Sequence, residues 1–164
     1  MKMTTDWLVS AAILAALGSG LIGGVFFAFS TFVMAALAQL PPPQGIAAMQ
    51  FVNIKVINPL FLGVFLGTAL LSLVLLIAAL THWQQATALY LLLGALLYLV
   101  GTLFVTIAFN IPRNNALAAV APESEEGARL WKRYLREWTL WNHVRGAAAL
   151  LAAAAFILAV RGSF

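Results

Sequence analysis

LFLGVFLGTALLSLVLLIAAL, residues 60–80, carries no charge, and its only polar side chains are Thr68 and Ser72. A helix crosses the hydrocarbon core of a bilayer, roughly 30 Å thick, with about 20 apolar residues, so this stretch reads as one complete span. Asn58 and Pro59 make a natural helix start before it, and a polar turn at 81–86 follows. Three further runs of the same kind lie at about 7–40, 87–109 and 140–160. The first is stopped by PPPQG, residues 41–45, because three prolines supply no helix donors. At about twice the apolar length of a cleaved leader, that run is expected to be a retained span. The expected fold class is all-α, a membrane four-helix bundle with an additional interfacial helical segment before the last span. One domain, 1–164, covers the chain.

The whole composition agrees with this reading. The chain is 63% hydrophobic and 9% charged, with mean hydropathy +0.99, too few charges to cover a water-soluble domain. The basic balance, nine Lys+Arg against five Asp+Glu, brings no nucleic acid into view, since no basic block with interleaved aromatics exists. Topology accounts for the charge better. Lys2 and Arg161 lie on the terminal side, whereas Lys55, Arg113, Arg129, Lys132, Arg133, Arg136 and Arg145 lie on the other. By the positive-inside rule the second side is cytoplasmic, and both termini face away from it in an inner or plasma membrane.

The stretch REWTLWNHVR, residues 136–145, joins a charged segment to the last apolar run. No Gly or Pro interrupts 128–145, so one helix is expected from near Glu125 through the fourth span, its acidic start suiting the helix dipole. At about 100° per residue, Trp131, Tyr134, Trp138, Asn142 and Arg145 fall on one stripe. Arg129, Lys132, Arg133, Arg136 and His143 fall on another. An interfacial aromatic belt explains tryptophans alone. It does not explain Arg145, about one turn inside the span beside an asparagine, because a membrane-embedded charge faces a bundle interior or a wet cavity.

Polar groups of other spans descend toward the same side. The 41–59 connection puts Asn53 on a helix face with Met49 and Val56, and Asn58 at a cap. Gly94, Tyr98, Thr102 and Val105 share a face of the third span, which ends in NIPRNNAL, residues 110–117. Bland alternatives exist for each: threonines bonding their own backbone, asparagines capping helices. In the first span Gly20 and Gly24, four apart, allow close approach of a neighbouring helix. Phe26, Phe27 and Phe29 suit core or lipid contact better than a ligand wall. Absence of Cys excludes disulfides, thiolate metal sites and cysteine nucleophiles. His82 and His143 belong to opposite sides, so no joint haem or metal site is expected. No phosphate loop, Ser/His/Asp set, HExxH or paired carboxylates occurs.

GGVFFAFS (23–30), AMQFVN with the following NP (48–59), NIPRNNAL (110–117) and WTLWNHVR (138–145) together resemble the anthrone oxygenase-like family of small four-span membrane proteins. The resemblance covers nearly the whole chain and places the family's polar pattern on Asn110, Pro112, Asn115, Leu117, Trp138, Asn142 and Arg145. It implies a monooxygenase acting without cofactor or metal on an anthrone-like or phenolic aromatic. Arg145 and Asn142 are then the catalytic residues, and Trp138, Tyr134, Asn110, Asn115, Asn53 and Asn58 hold the substrate. The partners expected are a small hydrophobic aromatic or quinone-like ligand and membrane lipid, with a homo-oligomer allowed. Two other readings stand beside it. One is a non-catalytic protein binding a quinone or lipid-like ligand in the same pocket; the other is a structural subunit, with no cavity at Arg145 and a capping partner for every asparagine.

Overall fold

The computed structural model describes residues 3–81 and 87–162, and no strand occurs among them. Lys2 and His82 lie outside the described residues. In chain order the helices are α1 (Met3–Ala28), α2 (Met34–Ala38), α3 (Pro42–Lys55), α4 (Pro59–Thr81), α5 (Ala88–Leu96), α6 (Ile111–Ala118) and α7 (Glu125–Arg161). Wider π-helical turns, Phe29–Val33, join α1 to α2, and Leu97–Phe104 and Thr106–Asn110 join α5 to α6. Four continuous helices thereby become long and apolar enough to cross a membrane: Asp6–Ala38, Pro59–Thr81, Ala88–Ala118 and Glu125–Arg161. This is an integral membrane protein, an all-α bundle whose outer surface shows Leu17, Leu21, Leu66, Leu70, Ile107 and Leu151. Such a surface suits hydrocarbon, with every helical backbone bond made internally.

The bundle is held by small residues where helices cross. A Cβ on Gly101 would stand 2.5 Å from Ala148 Cβ, and one on Gly94 2.7 Å from the Phe156 ring. Ala12, Ala15, Ala95, Ala152 and Phe156 fill the core between them. Close approach in α1 occurs at Gly18, against Thr68, and at Gly23, against Leu150. A Cβ on Gly20 or Gly24, the pair expected to make that approach, would meet no atom of another helix within 4 Å among the described residues. The phase of α1 turns them outward.

Two departures from the expected elements matter for the site. The third span does not end near 109 but continues through Ala118 as one helix. Pro112 stands at the start of α6, directly after the π turn Thr106–Asn110, where the regular i→i−4 ladder is already interrupted and a proline costs less than in an unbroken α-helix. The prolines that stop the first span also start α3, with Pro41 as its extended N-cap and proline in its first turn. α3 then ends at Lys55, and α4 begins anew at Pro59. Asn58 makes that restart: its Oδ1 accepts from Phe61 N at 3.0 Å, and its Nδ2 donates to Lys55 O at 2.9 Å.

α7 has 37 residues, about 55 Å at 1.5 Å per residue, and exceeds a bilayer core of roughly 30 Å. Ser124 caps it, accepting from Gly127 N at 2.9 Å. Its exposed outer face carries Arg129, Lys132, Arg133 and Arg136, while its inner face buries Trp131, Tyr134, Trp138, Asn142 and Arg145. A second apolar cluster, around Met34, Ile46, Met49, Leu117 and Trp131, packs α2, α3 and α6 on that inner face.

Candidate functional site

Arg145 is 7% exposed, about 12 Å along α7 from Glu137, the last acidic residue before it. Its guanidinium is fixed from three directions. Nε and Nη2 donate to Asn142 Oδ1 at 3.0 and 2.8 Å, and Nη1 donates to Thr106 Oγ1 at 3.2 Å. Its carbon lies 3.9 Å from the Phe26 ring centroid and 5.1 Å from that of Trp138. A guanidinium has five N–H donors, so two remain beyond these three bonds. Among the described residues the ion pairs take Arg113 and Arg136 to Glu137 and Arg129 to Glu125; none reaches Arg145.

Asn142 is itself locked. Its Nδ2 donates to Phe26 O at 2.7 Å and to Ser30 Oγ at 2.8 Å, which forces Oδ1 toward Arg145. Thr106 Oγ1 donates to Thr102 O at 2.8 Å, aiming its lone pairs at Nη1. Thr102 instead donates to the Arg145 carbonyl at 3.2 Å. The π-helical turns Phe29–Val33 and Thr106–Asn110 lie on the two sides of this constellation, a placement common at functional sites.

The Arg145 head opens into a cavity of about 770 Å³, in the size range of small-molecule sites. Its walls come from Phe26 and Phe29 of the first span, Asn53 of α3 and Val56 just after it, Phe61 and Phe65 of α4, Thr106, Asn114 and Asn115 of the third span, and Trp138. Among the described residues the wall is mostly apolar and contains no His, Asp or Glu. Among the described residues no three His, Asp or Glu converge on a metal-sized site.

Asn53, Asn115, Trp138 and Arg145 line the cavity, whereas Asn58, Asn110, Tyr134 and Asn142 do not. Asn58 is the α4 cap described above. Asn110 is fully buried and donates to Trp138 O at 3.2 Å. Tyr134 stacks between Trp131 and Trp138, with centroids 5.6 and 5.9 Å apart. These four shape the site from behind its wall; both Asn142 donors and its acceptor are engaged within the protein. His143 is exposed, on the face of α7 opposite Arg145.

Asn114, not singled out from sequence, ties the wall together: its Oδ1 accepts from Tyr134 OH at 2.9 Å and from Trp138 Nε1 at 2.7 Å. Gln50 was missed too; its Nε2 donates to Leu117 O at 2.8 Å and Val120 O at 3.1 Å, clamping α3 to the end of α6. A signal for Asn114 existed. Tyr98, Thr102, Thr106, Asn110 and Asn114 recur every fourth residue. In an α-helix such a row drifts by about 40° per step, but the wider π turns hold more residues per turn and keep Thr102, Thr106, Asn110 and Asn114 against α7.

The family model described as Anthrone oxygenase matches residues 60–155. No curated protein and no solved structure matches the chain. The matched segment runs from the start of α4 into α7 and contains Thr106, Asn114, Trp138, Asn142 and Arg145.

Proposed function

The chain belongs to the anthrone oxygenase family, and on that premise we propose that it is a membrane monooxygenase converting an anthrone-like or phenolic aromatic to its quinone with dioxygen. The observation that carries this is the uncompensated, nearly buried Arg145 cation at the inner end of an apolar, aromatic-walled cavity. An anthrone bears a carbonyl opposite a methylene carbon. Loss of one methylene proton gives an enolate whose negative charge rests on that carbonyl oxygen. The two spare Arg145 N–H groups stabilise this oxygen, and a preorganised donor is worth most where water is scarce. The electron-rich enolate carbon reduces dioxygen and bonds to it, and the peroxide anion takes up a proton from water. Loss of water from the resulting hydroperoxide leaves a second carbonyl, so one oxygen atom enters the product and the other leaves as water. Among the described residues the wall offers no carboxylate or imidazole, so the methylene proton passes to water, made easier by the cation.

Trp138, Phe26 and Phe29 supply faces for flat rings. Asn53, Asn114 and Asn115 flank them at the wall. Asn142 and Thr106 are positioning residues. The basic outer face of α7 supports a cytoplasmic location for the Arg145 end of the bundle. A quinone- or lipid-binding protein without turnover is the second reading, favoured by the same lack of a base in the wall. The test is purified protein in lipid nanodiscs with an anthrone and isotope-labelled dioxygen. One labelled atom per quinone, formed at a protein-dependent rate that Arg145→Ala lowers on the order of 10²-fold, is expected. Tight quinone binding with no such rate would establish the second reading instead.

A further inference from the structure

We propose that the cavity is reached sideways from the membrane, through a portal at the α3–α4 joint, by a flat amphipathic aromatic already dissolved in the bilayer. This rests on the ligand class argued above and adds the route. Ile54, Ile57 and Ile111 are 63%, 70% and 41% exposed, yet all three also line the cavity. The wall between cavity and surroundings is therefore one side chain thick there. Ile57 belongs to no helix: it stands between the end of α3 and the restart at Pro59. Across the opening, Ile111, Asn115 and Ala118 come from the third span.

Depth and chemistry identify what the opening faces. Tyr98 OH donates to Phe65 O at 3.0 Å, and Thr102, one turn from Tyr98, donates to Arg145 O. Phe61, one turn before Phe65, thus lies level with Arg145, and the joint lies just beyond it, inward of the charged half of α7. On α3 and α4 the outward neighbours of the joint are Phe51, 65% exposed, and Leu60, 80% exposed. Apart from Lys55, exposed at the end of α3, this rim is apolar; a lysine stem there reaches the headgroups, so the mouth stands where headgroups meet acyl chains, and a mouth facing bulk water would not present so much apolar surface. Asn115 is exposed on the opposite margin, with Asn53 in the wall behind Ile54. The mouth is apolar on one side and amide-bearing on the other, complementary to a molecule with flat rings and phenol or carbonyl oxygens resting at the boundary of headgroups and acyl chains.

The chain has no cysteine, so single-cysteine variants test this directly. Ile57→Cys and Ile111→Cys are each spin-labelled in lipid vesicles, with Leu73→Cys as a lipid-facing reference and Arg133→Cys as a water-facing one. The labels at 57 and 111 are expected to relax with dissolved oxygen, like position 73, and not with a water-soluble nickel chelate. Relaxation matching position 133 overturns the portal. In parallel, uptake of a fluorescent hydroxyanthraquinone from the bilayer is followed. Label at 57 is expected to slow it about tenfold or more, within the range over which on-rates vary, while label at 73 leaves it unchanged. Unchanged uptake with label at 57 also overturns the portal. If the unlabelled protein binds no anthraquinone, the ligand reading fails, and the accessibility comparison still decides whether the mouth meets lipid.

Discussion

Replacing Arg145 by lysine keeps the positive charge and removes the planar fork, so it separates electrostatic attraction from directed hydrogen bonding. The guanidinium has five donors, of which three serve Asn142 and Thr106, leaving two for a ligand oxyanion. An ammonium has three. Two of those are needed for Asn142 Oδ1 and Thr106 Oγ1, and one remains. Losing one charge-assisted bond to the developing oxyanion costs about 1.5–3 kcal/mol, about 10- to 100-fold in rate at 1.4 kcal/mol per decade. Initial rates of dioxygen uptake with an anthrone in nanodiscs measure it, and kcat should fall more than KM rises, because the bond strengthens as charge develops. An Arg145→Lys protein with the thermal midpoint and kcat of the unaltered chain would refute the donor count and leave charge alone as the device.

Asn114→Leu removes the acceptor shared by Tyr134 OH and Trp138 Nε1. Each orphaned donor costs about 1–3 kcal/mol, so the thermal midpoint should fall and quinone affinity weaken; an unchanged midpoint would refute the shared-acceptor role. Gly101→Ala drives a methyl against Ala148 and should destabilise by about 1–3 kcal/mol, whereas Gly67→Ala, with nothing within 4 Å, should be neutral or gain up to about 1 kcal/mol in helix propensity. Equal midpoints for the two in one detergent would contradict the crossing of the third span and α7. His143→Ala touches an exposed side chain and should shift stability by less than about 0.5 kcal/mol with turnover intact; a folded but inactive variant would move the site to the other face of α7.

The spans were legible because crossing a bilayer is a demand on composition, and 60–80 meets it residue by residue. The inner stripe of α7 was legible for a related reason: nothing interrupts its 3.6-residue period, and the structure buries Trp131, Tyr134, Trp138, Asn142 and Arg145 together. The third span defeats the same method. Its π turns change the angle per residue without any Gly or Pro at Thr106–Asn110 to announce them, so its extension to Ala118 was hidden, and Asn114 showed only in a polar row of every fourth residue that a regular α-helix would have turned away. Residue type also overstated what faces the cavity. Asn142, Asn110 and Asn58 have amides that suit a ligand, but Phe26 O, Trp138 O and Lys55 O reach them first, and such competition exists only once helices are assembled.

The interruption between α3 and α4 explains why the cation has space to act. Three of the long helices continue past the level of Arg145: the first span to Ala38, the third to Ala118 and α7 back to Glu125. The second span does not, since α4 starts at Pro59. α3, with 14 residues and about 21 Å long, fills that place as a separate piece, held by Gln50 on the third span and by Gly45 against Trp131. A continuous helix would have closed the bundle around Arg145 and left a buried charge without counterion or water. The offset piece leaves a cavity instead, and the cation that would burden a packed bundle becomes its most polarising group. Asn142 and Thr106 keep the guanidinium from swinging toward the headgroups, while Phe26 and Trp138 cover its faces, so its remaining donors point along the one direction left open, into the cavity.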